Sequence, residues 1–247
     1  MVFCALFRLE IMSGQMALKT PSTFYSPTLA ILFVSLIPAG SLLASDANTW
    51  YLGADAGVNF QQDTFTAFLP GNPFNPIGET QFHPGERVDL KFGYNVNMWF
   101  AVELEAGFIH NDISSIGLDP VSGVDLNQFP IMANIVLSRH ASSNWSVYAG
   151  GGVGCIVSQW DCGMQAHELF PNPPTFYPGH AATATDYLFG FQALAGIRYD
   201  ISKRWDFKLG YKFLATAEGH DWMISGVEVQ TDPTMSHSVF ASLTYKF

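Results

Sequence analysis

Residues 238–247 read SVFASLTYKF. Val239, Ala241, Leu243, Tyr245 and Phe247 take alternate positions, with Ser242, Thr244 and Lys246 between them. A period of two marks an extended strand, whose side chains point to opposite faces in turn. One such stretch is weak evidence, but upstream of it the pattern recurs at regular intervals. WYLGADAGVNF (50–60) sets Leu52, Ala54, Ala56, Val58 and Phe60 against Gly53, Asp55, Gly57 and Asn59. RVDLKFGY (87–94) sets Val88, Leu90, Phe92 and Tyr94 against Arg87, Asp89, Lys91 and Gly93. Phe100–Phe108 opposes Val102 and Leu104 to Glu103 and Glu105, and Phe129–Leu137 opposes Ile131 and Ile135 to Asn134. WSVYAGGGVGC (145–155), Phe189–Tyr199 and Trp205–Phe213 continue the series, the last with Lys208 and Lys212 on the polar face. With the terminal stretch this predicts eight antiparallel strands, all-β.

The connections alternate as well. Gln61–Gly85, His110–Gly123, Ser158–Thr185 and Thr216–Ser236 are long, while the links near residues 95–98, 139–144 and 200–204 are short. Long connections confined to one end, with short turns at the other, fit an up-and-down barrel better than a packed soluble domain.

Alternation does not say which face is inside, because a soluble barrel of eight strands turns its apolar face inward. Two features favour an apolar exterior. Gly crowds the polar face (Gly53, Gly57, Gly93, Gly107, Gly150, Gly152, Gly154, Gly190, Gly196, Gly210), where it makes room in a narrow lumen. Aromatics (Trp50, Phe60, Tyr94, Phe100, Phe108, Trp145, Tyr199, Trp205, Tyr245) sit at the ends of the apolar faces with small aliphatics between, as in a lipid-facing band. Composition agrees. The chain of 247 residues is 48% hydrophobic and only 13% charged, against about 25% charged in ordinary soluble domains. The net charge of −10 excludes nucleic acid as a partner.

The terminal SVFASLTYKF resembles the assembly signal of outer-membrane proteins, carried by Val239, Ala241, Leu243, Tyr245 and Phe247. The whole segment 48–247 resembles the OmpA-type small barrels, including the Opa- and OmpX-like members. The resemblance implies an eight-stranded transmembrane β-barrel in the cell outer membrane, folded by the outer-membrane assembly machinery and monomeric. With the barrel running to Phe247, no peptidoglycan-binding domain is expected after it.

A leader is expected ahead of the barrel. Leu29–Ile37 (LAILFVSLI) is the one long apolar run, preceded by Lys19 and followed by SLLASDA, the order of a signal peptide. It is too short for a spanning helix, which needs about 20 apolar residues. Residues 1–47 are assigned to it, with cleavage after Ala44 or Ala47 and Met16 as an alternative start.

If the polar face is internal, the lumen holds Asp55, Asp89, Glu103, Glu105 and Asp206 with Arg87, Lys91, Arg198, Lys208, Lys212 and Lys246. Buried charges must pair, so the expectation is a lumen plugged by ion pairs and no large conductance. A narrow porin-like channel is the alternative.

The long connections carry His83, His110, His167, His180, His220 and His237 and many acids, with almost no Lys or Arg. No pair sits at metal-ligand spacing, so neither a metal site nor a cofactor is expected. The acidity implies contact with lipopolysaccharide bridged by divalent cations. FLPGNPFNP (68–76) and LFPNPPTFYP (169–178) fit stiff recognition loops for a host or neighbouring-cell ligand. Cys155 and Cys162 are too few for a disulfide framework, but a bridge between them could clip the third long connection. Ser236, His237 and Ser238, together with His220 and Asp221, supply hydrolase residue types near the expected outer rim. The His-x-Ser arrangement of lipid A deacylases does not fit, since Ser238 directly follows His237. No catalytic residues are assigned. The function expected is structural or surface-interacting, and a lipid A-modifying enzyme is the second alternative.

Overall fold

The computed structural model describes residues 47–68, 78–117, 119–162, 182–224 and 227–247. The expected leader as far as Asp46, the LFPNPPTFYP stretch, His167 and His180 lie outside these residues. Strands β1 (Thr49–Gln61), β4 (Gly85–Asn95), β5 (Phe100–Ile116), β7 (Val124–His140), β8 (Trp145–Cys162), β9 (Ala182–Asp200), β10 (Trp205–Ile224) and β11 (Val227–Lys246) pair antiparallel in that order. β1 pairs with β11 from Tyr51↔Lys246 to Gln61↔Ser236, which closes a ring of 8 strands. Closure leaves no free edge, the condition for a β-structure to cross a bilayer.

The alternation decides the faces. Leu90 is 61% exposed on the outer surface, while its neighbours Asp89 and Lys91 are buried inside. Leu52, Val88, Leu104, Ile131, Ile135, Val153 and Leu243 share the outer face. Aromatic pairs mark the end of this apolar band with the short turns: Trp50 against Phe92 and Tyr94, Trp145 against Tyr199, Trp205 against Tyr245. Phe108 and Phe129 pair at the other end. The short turns are fixed by side chains that accept from the backbone. Asn97 Oδ1 takes the amides of Trp99 and Phe100, and Ser202 Oγ takes those of Arg204 and Trp205.

The strands run well past the apolar band, into segments expected as loops. β10 and β11 remain paired out to Ile224↔Val227, so Thr216–Ser236 is a hairpin and not a long loop. Its polar residues hid it, because once the wall leaves lipid its outer face has no reason to be apolar. Where β1 and β4 end, β2 (Thr64–Phe68) and β3 (Gly78–Phe82) take their places between β11 and β5. A short β6 (Asp119–Pro120) folds back on β5 after Gly117, whose φ of 64° is the left-handed region that suits glycine.

Candidate functional site

The interior at the height of the apolar band is a charge cluster. Lys212, on β10, is 1% exposed and its ammonium donates to Asp55 at 2.8 Å, Asp89 at 2.6 Å and Glu105 at 2.9 Å. These acids come from β1, β4 and β5, so one side chain ties four strands across the lumen. Arg87 Nε donates to Asp89 at 2.8 Å and its Nη2 to Glu105 at 3.0 Å. Lys91 pairs with Asp55 at 2.6 Å. Gln192 extends the cluster, donating to Glu105 at 3.2 Å and to Asn134 at 2.7 Å. The carboxylates of Asp55, Asp89 and Glu105 converge as the ligands of a cation do, and the cation between them is Lys212. Its ring neighbour Phe240 covers it, with the ammonium 4.7 Å from the ring centre.

Toward the short turns lies a second group. Tyr51 donates to Glu103 at 2.6 Å, and Lys208 sits 4.0 Å from Glu103 between the rings of Tyr51 and Tyr148. Lys246 pairs with Asp200 at 3.1 Å and Asp206 at 3.4 Å, and Arg198 lies 3.6 Å from Asp200. A cavity of about 20 Å³ opens among Tyr51, Glu103, Tyr148, Lys208 and Lys246. It has room for little more than a water molecule. Gly93 is required here, since a Cβ would collide with the Tyr51 ring.

All eleven charged residues assigned to the polar face from the sequence are therefore buried inside. Of their neutral companions, Tyr148 and Gln192 fall on the polar face by the sequence alternation, whereas sequence reading missed Tyr51 and Phe240. It also missed Ile109, Met132, Ile156 and Leu214, apolar residues that share the inner face and pack together. Above them the lumen of the extension is filled by Ile113, Ile116, Val124, Leu126, Trp160, Ala184, Trp222 and Val229.

The remaining candidates are not brought together as a catalytic set. Ser236 and Ser238 are buried inside, whereas His237 on the outer face contacts the Tyr211 hydroxyl and the Gln62 amide. His220 is buried, stacked on Trp222 at 4.3 Å and 3.4 Å from Asp186. Burial opposes it, but the hydrogen bond and charge of His220 hold the Asp186 carboxyl below 3.8. Cys155 and Cys162 are not brought together either. Both lie on β8, seven residues apart, which is about 23 Å at ~3.3 Å per residue. A disulfide needs Cα atoms about 4.4–6.8 Å apart, so the expected clip does not form within this strand.

The spacing rule applied to the histidines also needs correction. His110 and Asp112 are alternate residues of β5 and share its outer face, and Asp125 of β7 lies directly opposite Asp112. One ligand atom from each falls within 4.8 Å of the others. Partial burial would lower the His110 imidazole, but its hydrogen bond with Asn127 and the charges of Asp125, Asp112 and Glu86 raise it above 6.5. Burial, and then the hydrogen bond with Asp112, raises the Asp125 carboxyl above 3.8. Asp161 of β8 lies opposite Asp125, which puts three acids in one row across the wall.

The model of the family described as outer membrane protein beta-barrel domain matches residues 29–247. Among solved structures, the outer membrane protein OprG from Pseudomonas aeruginosa superposes with a TM-score of 0.56 at 13% identity, over 82% of this chain and 97% of that one. Neisserial surface protein A superposes with a TM-score of 0.49 at 15% identity, over 80% and 97%. No functionally curated protein matches the chain. At these identities the likeness shows the fold alone.

Proposed function

We propose, because this chain belongs to the outer membrane protein β-barrel domain family, that it serves the outer membrane as a closed surface barrel. Its role on this reading is structural and interactive, and its lumen is plugged by ion pairs instead of conducting. The observation that supports this is Lys212, whose ammonium lies 2.6–2.9 Å from three buried carboxylates drawn from three other strands. An ion entering this cluster would have to displace a paired charge, and breaking a buried pair costs about 3–5 kcal/mol. Purified, folded protein in planar bilayers is expected to give no stable channel. Reproducible channels of nanosiemens size from pure protein would overturn the reading.

The partner on this reading is the lipopolysaccharide leaflet around the wall. Every Lys and Arg after residue 48 lies in the lumen or in the turns near Arg139 and Lys203–Arg204. The outer wall above Phe108 therefore meets anionic lipid with carboxylates, which favours bridging by divalent cations over direct contact. Binding that persists undiminished after chelation of magnesium and calcium would count against this. The proline-rich stretches FLPGNPFNP (68–76) and LFPNPPTFYP (169–178) are the recognition elements for a ligand on a host or neighbouring cell. Deleting them should abolish cell binding while the barrel still folds. Export by the leader, assembly through the terminal strand and a monomeric, non-enzymatic state complete the proposal.

A further inference from the structure

Among the described residues, side chains of the kind that ligate metals converge in two places. In the lumen Asp55, Asp89 and Glu105 meet around Lys212, so the chain supplies its own cation. On the outer wall His110, Asp112 and Asp125 meet, and there the chain has no cation to offer. Residues 92–138 and 140–197 contain neither Lys nor Arg. Asp112 lies directly opposite Asp125, and Asp125 opposite Asp161. Like charges in such register repel, and a cation that relieves them has to come from outside the chain.

The imidazole sets this group apart from an acidic patch. An ionised carboxylate only accepts hydrogen bonds, so Asp161 orients the Asn127 amide, whose Nδ2 donates to Asp161 Oδ2 at 2.8 Å. That turns Asn127 Oδ1 toward His110 Nδ1, 2.8 Å away. An acceptor there places the proton of the neutral ring on Nδ1 and leaves the lone pair on Nε2. Histidines that bind metals are held in this way, by an oxygen on the ring nitrogen remote from the metal. Nε2 lies 3.4 Å from Asp112 Oδ1. Two ligands of one tetrahedral zinc ion, each about 2.0–2.2 Å from it, stand about 3.3–3.6 Å apart. A carboxylate oxygen of Asp125 falls within 4.8 Å of both atoms, a distance that side-chain torsions can close. Phe108 stacks against the imidazole from the side of the apolar band. The Asp112 side chain is 61% exposed, so the set opens outward.

We propose that His110, Asp112 and Asp125 form a surface site for a divalent metal ion of the zinc class, oriented through Asn127 and Asp161 and open to solvent at its fourth position. An imidazole ligand favours such ions over magnesium and calcium, which take oxygen ligands. The site goes beyond the bridging of lipopolysaccharide proposed above, which needs carboxylates alone. Its ion would join β5 to β7 at the outer margin of the apolar band.

The test is isothermal titration calorimetry of zinc chloride into the folded barrel, without a histidine tag, in detergent free of lipopolysaccharide. Each variant is first checked for the compact, heat-modifiable form on gels. Wild type should show a single saturable site, and about a hundredfold excess of magnesium should leave it occupied. Asn127→Ala, which removes the orienting amide but no ligand, should weaken zinc binding by about 10–100-fold. His110→Asn should weaken it further, and His237→Asn, a histidine elsewhere on the outer wall, should change nothing. Nuclear magnetic resonance should show zinc shifting His110 Nε2 and not Nδ1. Should His110→Asn not fold, Asp125→Asn replaces it. No saturable binding, binding undiminished in His110→Asn, or displacement of zinc by magnesium would each overturn the site. Undiminished binding in Asn127→Ala, or zinc on Nδ1, would overturn the way the imidazole is held. With lipopolysaccharide absent, failure here leaves the bridging reading standing, and failure of the bridging leaves the zinc site standing.

Discussion

Two regions of one wall divide at Phe108 and Phe129. Below that level the barrel carries Leu90, Leu104 and Ile131 outside and Lys212, Arg87 and Glu105 inside. Above it the outside carries His110, Asp112, Asp125 and Asn127, and the inside carries Val124, Leu126, Trp160 and Trp222. On β7 the change happens along a single strand. Asp125 and Asn127 share a face with Ile131 and Ile135, and Leu126 shares the other with Asn134. The strand geometry is continuous, so the inversion reflects the medium: where lipid ends and water begins, apolar groups become useful inside instead of outside.

The comparison can be broken most severely at the charged core. Lys212→Ala would leave three carboxylates buried together and should destabilise the barrel by about 3–5 kcal/mol, read as a lower urea midpoint in detergent or lipid vesicles. A normal midpoint would mean the cluster is held elsewhere. Next in size is the lipid face: Leu90→Arg should cost about 2–4 kcal/mol. The same change at Thr183, exposed above the band, should stay within about 0.5 kcal/mol. Equal effects at the two sites would erase the boundary.

A change in the upper core should be local. Leu126→Ala, at 2% exposure, removes methyl groups from a packed cluster and should cost about 2–3 kcal/mol. The loss should appear as faster amide exchange in the upper β7–β8 pairing, with protection below Phe129 unchanged. The smallest effect concerns the outer row of the extension. The His110 imidazole is raised in the folded protein, so its stabilising share is complete below 6.5 and disappears as pH rises through the higher folded value. Asp125, also raised, acts in the same direction, since its ionised form is the one the fold disfavours. His110→Asn should flatten the slope of stability with pH in that range, and nuclear magnetic resonance titration should place the His110 midpoint above 6.5.

What was legible follows the same boundary. At membrane height lipid enforces strict alternation, so Leu90 beside Lys91 already fixes strand, face and lumen charge. The terminal SVFASLTYKF shows this in the simplest form. Above Phe129 water wets the outside, polar residues are allowed on both faces, and the pattern fades. This is why Thr216–Ser236 reads as a loop. Ile109, Met132, Ile156 and Leu214 were hidden differently, because apolar residues on the polar parity look like noise until the four of them meet across the lumen. The cysteine expectation failed because distance along a sequence says little about distance along a straight strand. His110 with Asp112 carried a usable signal, two residues apart in a strand, which spacing rules taken from helices and zinc motifs do not reward.

The β1–β11 seam has a kinetic consequence. It joins Tyr51 to Lys246 and Gln61 to Ser236, partners at opposite ends of the barrel sequence, while every other pairing in the ring joins strands that follow closely in the chain. Loop-closure entropy and contact order are therefore concentrated in one joint. Lys212 can gather β10 to β1, β4 and β5 before that joint forms, which brings its two rims within reach. Until it zips, β1 and β11 are bare edges able to pair with another copy. A proline at Ala241, which takes a donor from the seam, should then slow folding and promote aggregation more than a proline at an outer hairpin tip.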